Sequence, residues 1–245
     1  MDDWTEDDVF ERFGKPRTGK LVGRPRSGAD GSTPRYVVEP ADMPDAKYLK
    51  HEILLSDFGE AFPFGQPPKP KDIGIPFMYR APETMFDSKL DPSSEVWSLA
   101  CILFEIRAGN PLFTNIMGGR DEILQQMVQM KGKLPDQWWV CWEKRSMCFD
   151  EEGKPLKKWE DGLPLAIEYP LDMMIAEIGG EDDEEAFFGS ELPMLEPKDT
   201  RVPAGEAESM RDLLAGMLRW SPEERPSVAQ VAQHPWVRGE ETRDV

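Results

Sequence analysis

Residues 95–109, EVWSLACILFEIRAG, set apolar side chains on nearly every side of a helix: Val96, Trp97, Leu99, Ala100, Ile102, Leu103, Phe104 and Ile106. A helix that is apolar all round belongs inside a protein. Asp91-Pro92-Ser93-Ser94 precedes it, and Ser93 or Ser94 is suited to cap its start. Gly109 is suited to end it, and Pro111 blocks its continuation. Ser98 and Glu105 interrupt the run, which is too short and too polar to span a bilayer. The segment is therefore expected at the centre of the fold.

The flanking sequence supplies partners. Ile123, Leu124, Met127, Val128 and Met130 form one apolar stripe, stopped by Gly132 and Pro135. Met210, Leu213, Leu214, Met217 and Leu218 follow helical spacing. Ser227 with Gln230 reads as a capping box before a last short helix, closed at His234-Pro235. Residues 137–205 lack strong periodicity. They carry Trp138, Trp139, Trp142 and Trp159 and the acidic run 181–185, and read as a long insertion packed by aromatic anchors with one exposed acidic loop. Towards the start, residues 1–13 read as a short acidic helix with Val9, Phe10 and Phe13 on one face. Residues 14–35, rich in Gly, Pro and basic side chains, read as a loop. Tyr36–Val38 and Ile53–Ser56 read as short strands.

Charge and cysteine content narrow the function. The formal net charge is −18, which argues against a general nucleic-acid binder and suits a basic protein partner. Cys101, Cys141 and Cys148 form no paired motif, so neither a disulfide framework nor a structural zinc site is expected. The acidic start MDDWTEDDVF is unlike a signal peptide. A cytoplasmic or nuclear location is expected.

Four motifs then occur in order: ILLSDFGEAF with Asp57-Phe58-Gly59, GIPFMYRAPE with Ala81-Pro82-Glu83, SSEVWSLACILFEI, and MLRWSPEERPSVAQVAQHPWV. Their order and spacing resemble the eukaryotic protein kinase family over roughly residues 50–237. The DFGEA and YRAPE runs and the pattern of residues 124–135 are most similar to the serine/arginine-protein kinases and their fungal relatives. The resemblance implies a mainly α fold, a kinase C-terminal lobe with a few short strands and no N-terminal lobe. Residues 1–49 would be a loop-rich insertion following the catalytic loop, 50–237 the lobe itself with its insertion at 137–205, and 238–245 a tail.

The resemblance also implies roles. Asp57 would ligate Mg²⁺ at the end of a buried strand and bridge it to ATP phosphates. Phe58 would pack beneath it, and Gly59 would allow a sharp backbone change. Glu83 and Arg225 would form a buried ion pair, with Glu95 and Trp97 as further structural residues of the lobe. Tyr79 and Arg80 would belong to the substrate-binding shoulder. ATP and Mg²⁺ would be the cofactors, and an Arg/Ser-rich basic protein the substrate or partner.

The pattern also breaks. This sequence has no G-x-G-x-x-G, no V-A-I-K and no H-R-D-L-x-x-x-N before Asp57, and its only asparagines, Asn110 and Asn115, follow it. Ile75 stands where such kinases carry Thr, and Glu95 where they carry Asp. No Ser or Thr lies between Gly59 and Tyr79, so activation by phosphorylation of that loop is not expected. The chain thus resembles a kinase lower lobe that starts just downstream of its catalytic loop. It is expected to be inactive as it stands and to expose apolar surface on helix 95–109. The alternative is a non-catalytic, pseudokinase-like module that binds a basic protein.

Overall fold

The computed structural model describes residues 4–20, 36–40, 53–63, 65–66, 74–87, 89–116, 119–156, 165–179 and 201–240. The chain divides into two compact units, Met1–Asp57 and Phe58–Val245.

In the first unit, helix α1 (Glu6–Phe13) opens on a capping box. The Thr5 hydroxyl accepts from the Asp8 N–H, and the Asp8 carboxylate accepts from Thr5. Trp4 meets Phe13 at 6.1 Å between ring centres, and Arg12 lies over Trp4 at 4.3 Å. Strands β1 (Thr18–Lys20) and β2 (Tyr36–Val38) pair antiparallel, Gly19 opposite Val37. The expected loop over 14–35 therefore contains a strand, while residues 21–35 lie outside the described residues. Ile53–Ser56 is not a strand. It runs exposed and without ladder partners, because a strand exists only by pairing and no described segment pairs with it.

The second unit is helical. Its helices are α2 (Pro82–Phe86), α3 (Pro92–Ala108), α4 (Arg120–Lys131), α5 (Asp136–Trp139), α6 (Leu171–Ala176), α7 (Ala204–Met217), α8 (Val228–Val231) and α9 (Pro235–Arg238). Helix α3 begins earlier than its apolar run suggests. Asp91 is the N-cap, its carboxylate accepting from the Ser93 and Ser94 N–H groups, with Pro92 at the first helical position. Gly109 ends it at φ 74, a left-handed conformation that glycine adopts without strain.

The core wraps α3. Trp97, Ala100, Cys101 and Phe104 are buried, and Trp97 stacks between Phe113 and Trp220 at 6.3 and 5.9 Å. All five apolar residues of the α4 stripe and all five of the α7 stripe are buried in the same core cluster. One sector of α3 remains in water: Ile102 is 41% and Ile106 74% exposed. Apolar periodicity marks a helix as core but cannot say on which side a neighbour is present.

Trp138, Trp139 and Trp142 anchor the segment after α4. Each indole N–H reaches a carboxylate, Asp87 at 2.9 Å, Glu151 at 3.3 Å and Asp121 at 3.0 Å respectively. Buried indoles need such an acceptor. Trp159 and the acidic run 181–185 lie outside the described residues. The Ser227–Gln230 capping box opens α8 as expected. His234-Pro235 opens a further helix rather than closing the last one, with the His234 ring accepting from the Trp236 N–H. No helix among the described residues is long and apolar enough to cross a membrane.

Arg107 of α3 grips Glu206 of α7 through two bonds, at 2.7 and 3.2 Å. Chiefly through these bonds, the Glu206 carboxyl is held below its ordinary value of 4.5. A carboxyl that binds its proton more weakly when folded stabilises the fold above its unfolded pKa. That contribution is lost as pH falls through the folded value. Glu206→Gln is therefore expected to cost about 1 kcal/mol at pH 7. The deficit should shrink as pH falls below that of the free carboxyl, in urea melts run across this range. Phe104→Ala should cost ~3–5 kcal/mol in the same assay. Ile106→Lys should change stability by less than about 0.5 kcal/mol, while reducing aggregation measured by light scattering.

Candidate functional site

Of the residues singled out by the motifs, the structure brings together those from 75 to 105 and from 219 to 225. Helix α2 presents Glu83 from a buried turn, and the 3₁₀ turn Pro222–Glu224 delivers Arg225 from 142 positions away. The two meet in a bidentate pair, Arg225 Nη1 to Glu83 Oε1 at 2.7 Å and Nη2 to Oε2 at 2.8 Å, with side chains 0% and 2% exposed. The guanidinium is fully satisfied. Its remaining N–H groups donate to the carbonyls of Ser93, Arg219 and Trp220 at 2.9, 2.9 and 3.4 Å, and it lies 5.1 Å from the Trp97 ring centre. Ser94 Oγ donates to Glu83 Oε1 at 3.0 Å. Trp97 supports the pair from below, its own indole N–H buried without a hydrogen-bond partner among the described residues.

The segment before Glu83 hangs on the same helix. The Tyr79 hydroxyl donates to Glu105 Oε2 at 2.7 Å, and Ser98 Oγ donates to the Tyr79 carbonyl at 2.8 Å. Burial, followed by the bond to Glu105, pushes the Tyr79 phenol up to about 12, so the donor stays protonated across the physiological range. Arg80 Nε donates to the Ile75 carbonyl at 2.6 Å, and its guanidinium lies 4.4 Å from the Phe77 ring centre. Residues 75–80 are thus a fixed platform on α3. Glu105 was missed by sequence reasoning. Its signal is a carboxylate inside the most apolar helix of the chain, where a charge needs a partner. Glu95, by contrast, is exposed in the first turn of α3, where the helix dipole favours an acid.

Asp57-Phe58-Gly59 behaves differently from expectation. Asp57 is the last residue of the first unit, while Phe58 and Gly59 begin the second. Asp57 is exposed and follows no buried strand. Phe58 is 63% exposed rather than packed, because the 3₁₀ turn Phe58–Glu60 buries none of its residues. The sharp backbone turn falls on Asp57, at φ 61, and not on Gly59. Asp and Asn tolerate this left-handed conformation better than other non-glycine residues.

Magnesium takes one or two carboxylates together with phosphates and waters. Among the described residues there is no group of three or more His, Cys, Asp or Glu side chains that could hold a metal ion.

A family model for the protein kinase domain matches residues 46–237. Among curated proteins, the serine/threonine-protein kinase SRPK of Physarum polycephalum is 26% identical over 163 residues, covering 65% of this chain and 32% of that protein. Cyclin-dependent kinase G-2 of Oryza sativa subsp. indica is 26% identical over 192 residues, covering 76% and 22%. Protein kinase dsk1 of Schizosaccharomyces pombe is 24% identical over 169 residues, covering 65% and 25%. The chain spans about a third or less of the length of these relatives.

The clasp makes a sharp stability prediction. Arg225→Met strands a buried carboxylate and Glu83→Gln strands a buried guanidinium, so each should cost ~3–5 kcal/mol in urea unfolding.

Proposed function

This chain belongs to the protein kinase family, by the match across residues 46–237, and from that premise we propose that its second unit is the helical lower lobe of a serine/threonine kinase of the SR-protein-kinase-like type. The buried Glu83–Arg225 pair carries this reading. It ties the segment bearing Tyr79 and Arg80 to the base of the lobe, which a substrate shoulder requires. Tyr79 and Arg80 would hold a protein substrate there, and Asp57 would be the metal ligand of the complete reaction.

Taken alone, these 245 residues are expected not to transfer phosphate. Phosphoryl transfer depends on positioning and charge stabilisation. The sequence contains no glycine-rich loop, no nucleotide lysine and no catalytic Asp–Asn pair. When bound, ATP with Mg²⁺ would supply the phosphoryl group. What this chain's residues contribute is the platform 75–80 and the clasp beneath it. A second reading, a non-catalytic module for a basic protein, is favoured by the net charge of −18. Long-range attraction to an Arg-rich chain follows from that charge and weakens with salt.

One experiment addresses both readings. The purified chain is incubated with radiolabelled ATP, Mg²⁺ and an Arg/Ser-repeat peptide, and binding of the same peptide is followed at low and high salt. We expect no incorporation above background, and binding that weakens at least tenfold between about 50 and 500 mM salt. Incorporation abolished by Asp57→Asn, which keeps a side chain tolerant of φ 61, would refute the inactivity. Binding indifferent to salt would refute the module.

A further inference from the structure

Histidine is the side chain whose charge ordinarily changes between about pH 5 and 8, and His234 is the one histidine among the described residues. It stands where α8 gives way to α9, and both of its ring nitrogens are engaged. Nδ1 accepts from the Trp236 N–H at 3.3 Å, which makes the ring the N-cap of α9. Nε2 lies 3.2 Å from Asp212 Oδ2 on α7. An ionised carboxylate only accepts, so the ring donates to it. Together the two contacts call for one tautomer, with the proton on Nε2 and a lone pair on Nδ1.

Protonating that ring adds a hydrogen at Nδ1. Nε2 goes on donating to Asp212, but the capping acceptor becomes a donor facing a second donor, the Trp236 N–H. The two ends of the ring respond unequally. The Asp212 side chain is 82% exposed, so the ion pair formed there is screened by water. The cap has more at stake. Pro235 occupies the first position of α9 and has no N–H, so Trp236 carries the first donor of the helix and the His234 ring is the side chain that satisfies it. The other charged groups on the packed elements are turned elsewhere. Arg211 of α7 faces Asp172 of α6 at 3.8 Å, and Glu208, one turn before Asp212, stands in water. Arg238 of α9 bonds Gln233 at 3.2 Å and pairs with Glu240 at 2.9 Å. Residues 228–233, VAQVAQ, carry no charge.

We infer that His234 is a proton-sensitive cap: the neutral ring holds the first turn of α9 at Trp236, and the charged ring keeps Asp212 but releases that turn. The effect reaches beyond α9. Trp236 is fixed twice, its backbone by His234 and its side chain by Glu206 of α7, which Arg107 of α3 also grips. Releasing the backbone end loosens α9 on α7. The device sits at the end of the unit and does not depend on the kinase reading of the platform.

The test follows two NMR signals in the full 245-residue chain. At about pH 8 the His234 ring nitrogen shifts should report a proton on Nε2 and none on Nδ1. Protection of the Trp236 amide against hydrogen exchange, corrected for the intrinsic rate, should fall about three- to tenfold from pH 7.5 to 5.5. His234→Asn caps helices but takes up no proton, and should keep the amide protected at both pH values. His234→Ala should leave it unprotected at both, and Asp212→Asn should retain the fall. The inference is overturned if the ring carries its proton on Nδ1 at the higher pH, or if protection in the wild type is indifferent to pH, and neither reading requires a variant to fold. It is also overturned if the fall persists in His234→Asn, since another group would then be the sensor. Disappearance of the fall in Asp212→Asn would overturn it too, since the ion pair rather than the cap would then be sensing the proton.

Discussion

The second unit depends on one buried ion pair. Glu83 and Arg225 meet with both side chains out of water, where either charge alone would be expensive. The expense is offset because every donor of the guanidinium finds an oxygen, and the carboxylate also accepts from Ser94. The pair does more than join two side chains. Through the Ser93, Arg219 and Trp220 carbonyls it fixes the start of α3 and the turn after α7 to the same point.

From that point the rest of the site follows along α3. Ser94, Ser98 and Glu105 are spaced by four and seven residues and so fall on one line of the helix. They bond Glu83, the Tyr79 carbonyl and the Tyr79 hydroxyl in turn. A helix otherwise built for a core thus carries one polar line. The whole segment from Tyr79 to Glu83 is hung from it. The adjacent sector, with Ile102 and Ile106, stays in water. A hydrogen-bonded segment and an exposed apolar sector therefore share one helix.

How much of this was legible depended on whether the deciding contact was local. The α4 and α7 stripes and the Ser227–Gln230 box are set by neighbours within a few residues, and they appear where the sequence places them. The pairing of Glu83 with Arg225 was readable only from motif order, since nothing local points across 142 positions. The Trp138, Trp139 and Trp142 anchors were readable, but their carboxylate partners were not, because the bonds span 12 to 51 residues. Ile53–Ser56 has the composition of a strand but no described partner to make it one. At Asp57, the glycine two positions on suggested where the backbone would bend, yet the bend falls on the aspartate itself. The Asx-type capping by Asp91 was overlooked because two serines nearer the apolar run looked sufficient.

The central claim is that Glu83 and Arg225 act as one unit rather than as two separate contributors. A double-mutant cycle in urea, with Glu83→Gln, Arg225→Met and both together, measures this directly. The account predicts that the double variant loses no more than either single one, a coupling of ~3 kcal/mol or more. Strictly additive losses, with a coupling near zero, would contradict it.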